Sequence, residues 1–212
     1  HSRTPDRVAL TLQFSNTDDL SLTVDQLLRG ASSYARALTL ANIQPGEVVV
    51  LILQHGEELV YAFWGAILHG AIPSIMPFLT EKLSPERYRA DLSALISVTQ
   101  PAAIVTYPEF ESEVHGALQE GDSVREVIVT NKVEKQVELN FDSLTGFQRQ
   151  PEDIVILQHS SGTTGLQKGV ALSHQAVFNQ LDAYSNALNL NENDVVVSWL
   201  PLYHDMGFIA GF

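Results

Sequence analysis

Apolar residues recur along the chain with two different periods, and the alternation between them predicts a run of helices and strands. Val24, Leu27, Leu28, Ala31, Ala35 and Leu38 fall on one helical stripe, and Thr23 with Gln26 has the spacing of a capping box at its start. This helix is predicted to stop near Asn42, and Pro45-Gly46 marks the turn that follows. Val48 to Leu53 is apolar at every position, as a strand covered on both faces requires. From Glu57 the pattern is helical again, through Leu59, Val60, Phe63 and Ile67, until Gly70 offers a stop. Ala71 to Met76 reads as the next strand.

The rhythm continues downstream. Ser84 and Pro85 start a helix carrying Tyr88, Leu92, Leu95 and Ile96, and a strand at Ala102 to Thr106 follows it. A helical stretch from Glu109 to Glu120 leads to a strand at Val127 to Thr130. From Asn131 to Asp153 the period is lost, the charges are mixed and Pro151 sits near the end, so this stretch reads as a connector. Beyond it are predicted a strand at Ile154 to Leu157, a short strand at Val170 to Leu172, a helix capped by Ser173 and running to about Leu188, and a strand at Val195 to Leu200. This alternation predicts an α/β fold, with βα-repeating, mostly parallel sheets and helices on both faces. A first α/β subdomain is expected over residues 1–140 and the start of a second over 141–212.

Composition narrows the classes of function. At 212 residues, 45% hydrophobic and 17% charged, the chain can build a real core. A net charge of −13, from 12 basic against 25 acidic residues, speaks against a nucleic-acid surface, which needs clustered Lys and Arg. The lack of cysteine excludes disulfides, thiolate metal sites and a cysteine nucleophile, and fits a cytoplasmic protein. No apolar run reaches the roughly 20 residues that span a bilayer, and His1-Ser2-Arg3-Thr4-Pro5 has no signal core. The chain does not begin with methionine, so it is expected to be a segment of something longer.

Candidate chemistry concentrates in Leu157-Gln158-His159-Ser160-Ser161-Gly162-Thr163-Thr164-Gly165-Leu166-Gln167-Lys168-Gly169-Val170. A triphosphate needs donors that converge on its oxygens and a backbone that can come close. Gly162, Gly165 and Gly169 permit that approach, Ser160, Ser161, Thr163 and Thr164 supply hydroxyls, and Lys168 adds a positive charge. The stretch is not a Walker A loop, which has a glycine before its lysine and a hydroxyl residue after it, where this chain has Gln167 and Gly169. Composition alone leaves an ordinary surface loop open. The seven histidines form no H-E-x-x-H pattern, so no metal site is expected, and His55, His69, His115 and His159 read as surface or packing residues.

In its order of residues, Ser-Ser-Gly-Thr-Thr-Gly-Leu-Gln-Lys-Gly resembles the signature loop of the adenylate-forming (AMP-binding) superfamily, which includes acyl-CoA synthetases, fatty acyl-AMP ligases, luciferases and peptide-synthetase adenylation domains. That family usually has proline at the position of Gln167. Ser198-Trp199-Leu200-Pro201-Leu202-Tyr203-His204-Asp205-Met206-Gly207-Phe208 is similar to the family's next motif, which lines the entrance to its acyl pocket. Weaker similarities run through Leu22 to Leu27, Pro45 to Leu51 and Ala62 to Pro73, so the resemblance covers essentially the whole chain.

The resemblance implies an incomplete N-terminal domain of an adenylate-forming enzyme, of the acyl-CoA synthetase or fatty acyl-AMP ligase type. It implies ATP and Mg²⁺ as cofactors, a small-molecule carboxylic acid, most simply a fatty acid, as substrate, and CoA or an acyl carrier protein as thiol acceptor. Ser160, Ser161, Gly162, Thr163, Thr164, Gly165 and Lys168 would then bind the nucleotide, with Lys168 and His204 as catalytic residues. His204 would help to place the carboxylate and gate the acyl channel. Peptide-synthetase domains carry an aspartate there to pair with a substrate ammonium, so His204 favours an acid without an α-amino group. Trp199, Leu200, Leu202, Phe208 and Ile209 are candidates for the acyl tunnel or for core. The adenine, magnesium and ribose motifs and a catalytic lysine would lie in a C-terminal remainder, so these 212 residues alone are expected to be inactive. Two other classes stay open: a non-catalytic module kept for docking or scaffolding, and a phosphotransferase with an atypical loop.

Overall fold

A computed structural model of the protein describes residues 3–78, 84–135, 140–160, 168–209 and 211–212. It begins with an element that the apolar periodicity does not reveal. Strand β1 (Val8–Leu12) pairs antiparallel with β2 (Leu20–Thr23) in a short hairpin that buries only Leu22, so it carries little apolar signal. Helix α1 (Val24–Leu40) starts at the predicted capping box: the Gln26 N–H donates to Thr23 Oγ1 at 3.2 Å and the Thr23 N–H to Gln26 Oε1 at 2.9 Å. It ends before Asn42, which takes a left-handed backbone at φ +55°.

Strand β3 (Val48–Ile52), helix α2 (Glu57–His69), strand β4 (Ile72–Ile75), helix α3 (Pro85–Thr99) and strand β5 (Ala103–Thr106) follow the predicted order. Helix α4 (Glu111–Ala117) is shorter than its periodicity suggests. A 3₁₀ turn at Pro108–Phe110 replaces its first residues, and beyond it Leu118 is extended and Gln119 caps onto the Asp122 carboxylate at 2.7 Å. With β6 (Glu126–Val129) the strands form one parallel sheet in the order β4-β3-β5-β6.

Strand alternation explains why β3 is apolar throughout. Val49 and Leu51 point to the face covered by Tyr34, Leu38 and Phe63 of α1 and α2. Val50 and Ile52 point to the other, covered by Tyr88, Leu92 and Ile96 of α3 and Val114 of α4. Helices on both faces of a mostly parallel sheet are the predicted architecture. The close approach of α1 to α2 depends on Gly65, where a Cβ would lie 2.6 Å from the Ala31 carbonyl oxygen.

The connector is tied down by short 3₁₀ turns at Phe141–Ser143 and Thr145–Gln148. Leu144 is buried with Ala31, Ala35 and Leu68, and the Thr145 hydroxyl donates to the His69 carbonyl. Strand β7 (Ile154–Ser160) then lies against β4, and its Val155 and Ile156 join the same core as Phe63. Strand β8 (Lys168–Ser173) pairs with β7 antiparallel, because so short a connection cannot make the crossover that a parallel pair requires. Helix α5 (His174–Leu188) is capped by Ser173 as predicted, yet none of its residues is buried.

One predicted strand is absent. Val195 to Leu200 is apolar enough to be a strand, but no described strand pairs with it, and Val195, Val197 and Trp199 are 83%, 72% and 89% exposed. An apolar segment with no neighbouring ladder cannot satisfy its backbone groups as a strand. After it comes helix α6 (Asp205–Ile209), which the sequence pattern does not indicate. No helix among the described residues is long and apolar enough to cross a membrane.

Candidate functional site

Strands β3 and β4 run parallel, the end of β7 meets the end of β4 where His159 reaches Ser74, and the segment after each strand collects chemistry-bearing residues there. Ligands of open α/β sheets gather beyond the carboxyl ends of their strands. Past β3 lies His55, past β4 lies Phe78, and at the end of β7 stand Gln158, His159 and Ser160. The turn formed by Pro201 to His204 packs onto all three.

Among the described residues its hold is made of two hydrogen bonds and a set of rings. The Leu202 N–H donates to His55 Nε2 at 3.0 Å, which leaves the imidazole proton on Nδ1. The Tyr203 ring lies 5.7 Å from His55, 6.3 Å from Phe78 and 4.9 Å from His204, centroid to centroid. The buried Gln158 side chain brings its Nε2 to 3.5 Å from the Tyr203 carbonyl oxygen. Strand β7 and the aromatic turn therefore meet at one place.

His204 is exposed on this turn, with its N–H donated to the Pro201 carbonyl at 3.1 Å and its own carbonyl accepting from Phe208 at 2.9 Å. Phe208 is 6% exposed and packs edge-on to Phe63 of α2 at 5.2 Å. Of the five tunnel candidates, Phe208 is thus core, Leu202 is half-buried, and Trp199, Leu200 and Ile209 are exposed.

Ser160 closes β7 and Lys168 opens β8, and the two are paired in register. The chain ends of the glycine-hydroxyl loop are therefore held side by side at the last pair of the β7–β8 ribbon. Ser161, Gly162, Thr163, Thr164 and Gly165 lie outside the described residues. Among the described residues no group of three or more His, Asp or Glu is placed to hold a metal.

The histidines divide by surroundings. His115 is exposed and lies 3.9 Å from Glu111, whereas His69 is buried at the end of α2. His159 is 7% exposed, with Nδ1 3.0 Å from the Ser74 hydroxyl and Nε2 buried without a partner among the described residues. Sequence pattern does not single out Ser74, Gln158, Phe78 or the His55 contact, because each depends on which strand ends the topology brings together.

Burial holds the His69 and His159 pKa values below the ordinary imidazole value of 6.5, with the Ile43 carbonyl and Glu47 partly opposing this at His69. The unfolded chain therefore takes up protons at these sites first as pH falls. Their contribution to stability is complete above about pH 6.5 and is lost as pH drops through the lowered folded values. Urea denaturation followed by tryptophan fluorescence should show a lower midpoint at about pH 5.5 than at about pH 7.5, with the gap narrowed in His159→Asn. An equal gap in that variant would show that His159 is not held neutral.

Comparison with known proteins agrees with this geometry. The AMP-binding enzyme family model matches residues 1–212. The chain is 33% identical over 184 residues to 4-coumarate–CoA ligase CCL1 of Humulus lupulus, covering 80% of this chain and 32% of that protein. It is 32% identical over 203 residues to long-chain-fatty-acid–AMP ligase FadD26 of Mycobacterium tuberculosis, covering 90% and 32%. The fold superposes on the crystal structure of a fatty acyl-adenylate ligase from L. pneumophila in complex with acyl adenylate and pyrophosphate. That match has a TM-score of 0.78 at 23% identity and covers 99% of this chain and 35% of the other. The chain spans about a third of the length of the curated relatives it matches. With the family match running from end to end, the chain belongs to the AMP-binding enzyme family.

Proposed function

We propose that this chain is part of an ATP-dependent ligase that adenylates a carboxylic acid and then passes the acyl group to a thiol. The observation that carries the proposal is the meeting of the β7 end with the Tyr203-His204 turn: the strand that leads into the phosphate-loop sequence reaches the turn of the acyl-motif sequence at Gln158. A reaction that joins a carboxylate to a nucleotide needs these two neighbourhoods next to each other.

In the first step a carboxylate oxygen attacks the α-phosphorus of ATP, and the bond from that phosphorus to the bridging oxygen of the β-phosphate breaks. Acyl-AMP and pyrophosphate result. The nucleophile is already an anion, so the protein's task is positioning and charge neutralisation. Ser160, Ser161, Thr163, Thr164 and Lys168 are assigned to the β- and γ-phosphates, and Gly162 and Gly165 to close backbone approach. Mg²⁺ bound with ATP would supply further charge neutralisation at the phosphates. Its protein ligands are assigned, on the family resemblance, to the C-terminal portion of the enzyme.

His204 is assigned to the substrate carboxylate, consistent with its exposure at the mouth of the site. An imidazole in place of an ammonium-pairing carboxylate supports an acid without an α-amino group, and the similarity to a long-chain-fatty-acid–AMP ligase supports a fatty acid. CoA or an acyl carrier protein serves as acceptor. Residues 1–140 are assigned to a first subdomain and 141–212 to the start of a second, with the remaining motifs in a C-terminal portion. We place the reaction in the cytoplasm, where ATP and the thiol acceptors are found.

The test is the point at which ATP is split in the full-length protein. Given fatty and aryl acids, it should release pyrophosphate and form acyl-AMP, separable by chromatography. Cleavage to ADP and phosphate would instead favour a phosphotransferase, and no cleavage a docking module.

A further inference from the structure

Ser74 in β4 is completely buried, so its hydroxyl must find a partner within the protein or lose its hydration uncompensated. That partner is His159, whose Nδ1 lies 3.0 Å away although the two residues are 85 positions apart. His159 is itself 7% exposed and sits opposite Gly169 in the β7–β8 ladder. The next pair, Ser160 with Lys168, is the last before the glycine-hydroxyl loop.

From these contacts we infer that His159 is a positioning residue for nucleotide binding, which fixes the base of the 160–168 loop against β4 through Ser74. The inference rests on the function proposed above. A two-stranded ribbon is marginal by itself, and β8 is exposed at Gly169 and Val170, so the hairpin takes its position from what β7 touches. Val155 and Ile156 anchor the far end of β7 by apolar packing, which has no direction. At the loop end, among the described residues, the Ser74–His159 bond ties β7 directionally to β4, while Gln158 ties it to the Tyr203 turn.

Two further features fit. Gly169 has no Cβ, and one placed there would stand 3.7 Å from His159 Nε2, so the glycine leaves the ring its place across the ladder. Burial keeps the imidazole neutral, which preserves a single arrangement of donor and lone pair toward Ser74. Among the described residues Nε2 has no partner, and an apolar side chain of similar volume would fill this space without that cost, so packing by the described residues does not by itself account for a histidine here.

The experiment measures KM for ATP and for the acid in the full-length protein, in three variants. His159→Phe removes the bond but strands the Ser74 hydroxyl. The double variant Ser74→Ala with His159→Phe removes both ends, so stability returns while the tie stays broken. His159→Asn keeps a polar group at the reach of Nδ1. Expected are a KM for ATP raised about tenfold in the first two, a KM for the acid within about twofold of wild type, and an ATP KM within about threefold in His159→Asn.

Recovery of the ATP KM together with the melting temperature in the double variant would reduce His159 to core and overturn the inference. An equal rise in both KM values, or no change in His159→Phe, would do the same. If the wild type releases no pyrophosphate, the proposed reaction fails, and calorimetric ATP binding then decides: about tenfold weaker binding by the double variant supports the inference, and equal binding refutes it.

Discussion

Replacing Lys168 by Ala in the full-length protein is expected to slow acyl-AMP formation by about 10²-fold or more. The chain carries 25 acidic residues against 12 basic ones, so its general field opposes an incoming nucleotide. Attraction has to come from groups at contact range, and Lys168 is the cation that the sequence places in the loop. It opens β8 directly opposite Ser160, so its backbone is fixed by the ladder. Charge builds on the departing pyrophosphate as the bridging bond breaks, and a fixed cation stabilises that state more than the ground state. The loss should therefore fall on kcat as well as on the KM for ATP. Single-turnover measurement of acyl-AMP separates the two, and an unchanged rate would remove Lys168 from the mechanism.

The 212 residues alone are expected to release no pyrophosphate above background with any of a panel of fatty and aryl acids. Surface apolarity supports this. Trp199 is 89% exposed, Val195 83% and Phe178 of α5 61%, a density of bare apolar groups that soluble proteins normally cover. The exposed Val195–Leu200 run leads straight into the turn that carries His204, and no described strand pairs with it. Robust turnover by these residues would show that the site is complete within them and would overturn the assignment of further motifs elsewhere.

Most of the fold is legible in the sequence because its signals are local. Thr23 and Gln26 announce α1, Ser84 and Ser173 cap α3 and α5, and Gly70 stops α2 with a left-handed backbone at φ +87°. The doubly apolar run of β3 announces helices on both faces. What local signals miss is decided at a distance. Val195 to Leu200 has the composition of a strand, but a strand exists only beside another. The β1–β2 hairpin is too short and too exposed to stand out. Within the candidate site, motif order points to the 160–168 loop and to His204. The contacts of His55 with Leu202 and of His159 with Ser74 follow from which strand ends become neighbours, and no spacing encodes them.

Phe63 is packed against Phe208 and Phe212, which lie far later in the sequence than the β4-β3-β5-β6 sheet. During synthesis the β4-β3-β5-β6 sheet can therefore close long before these rings leave the ribosome. Until then Phe63 lacks these two rings, whose contacts with it have long loops to close. A nascent chain stalled at that stage would be sticky through this one position, which makes Phe63 a natural place for a chaperone to hold.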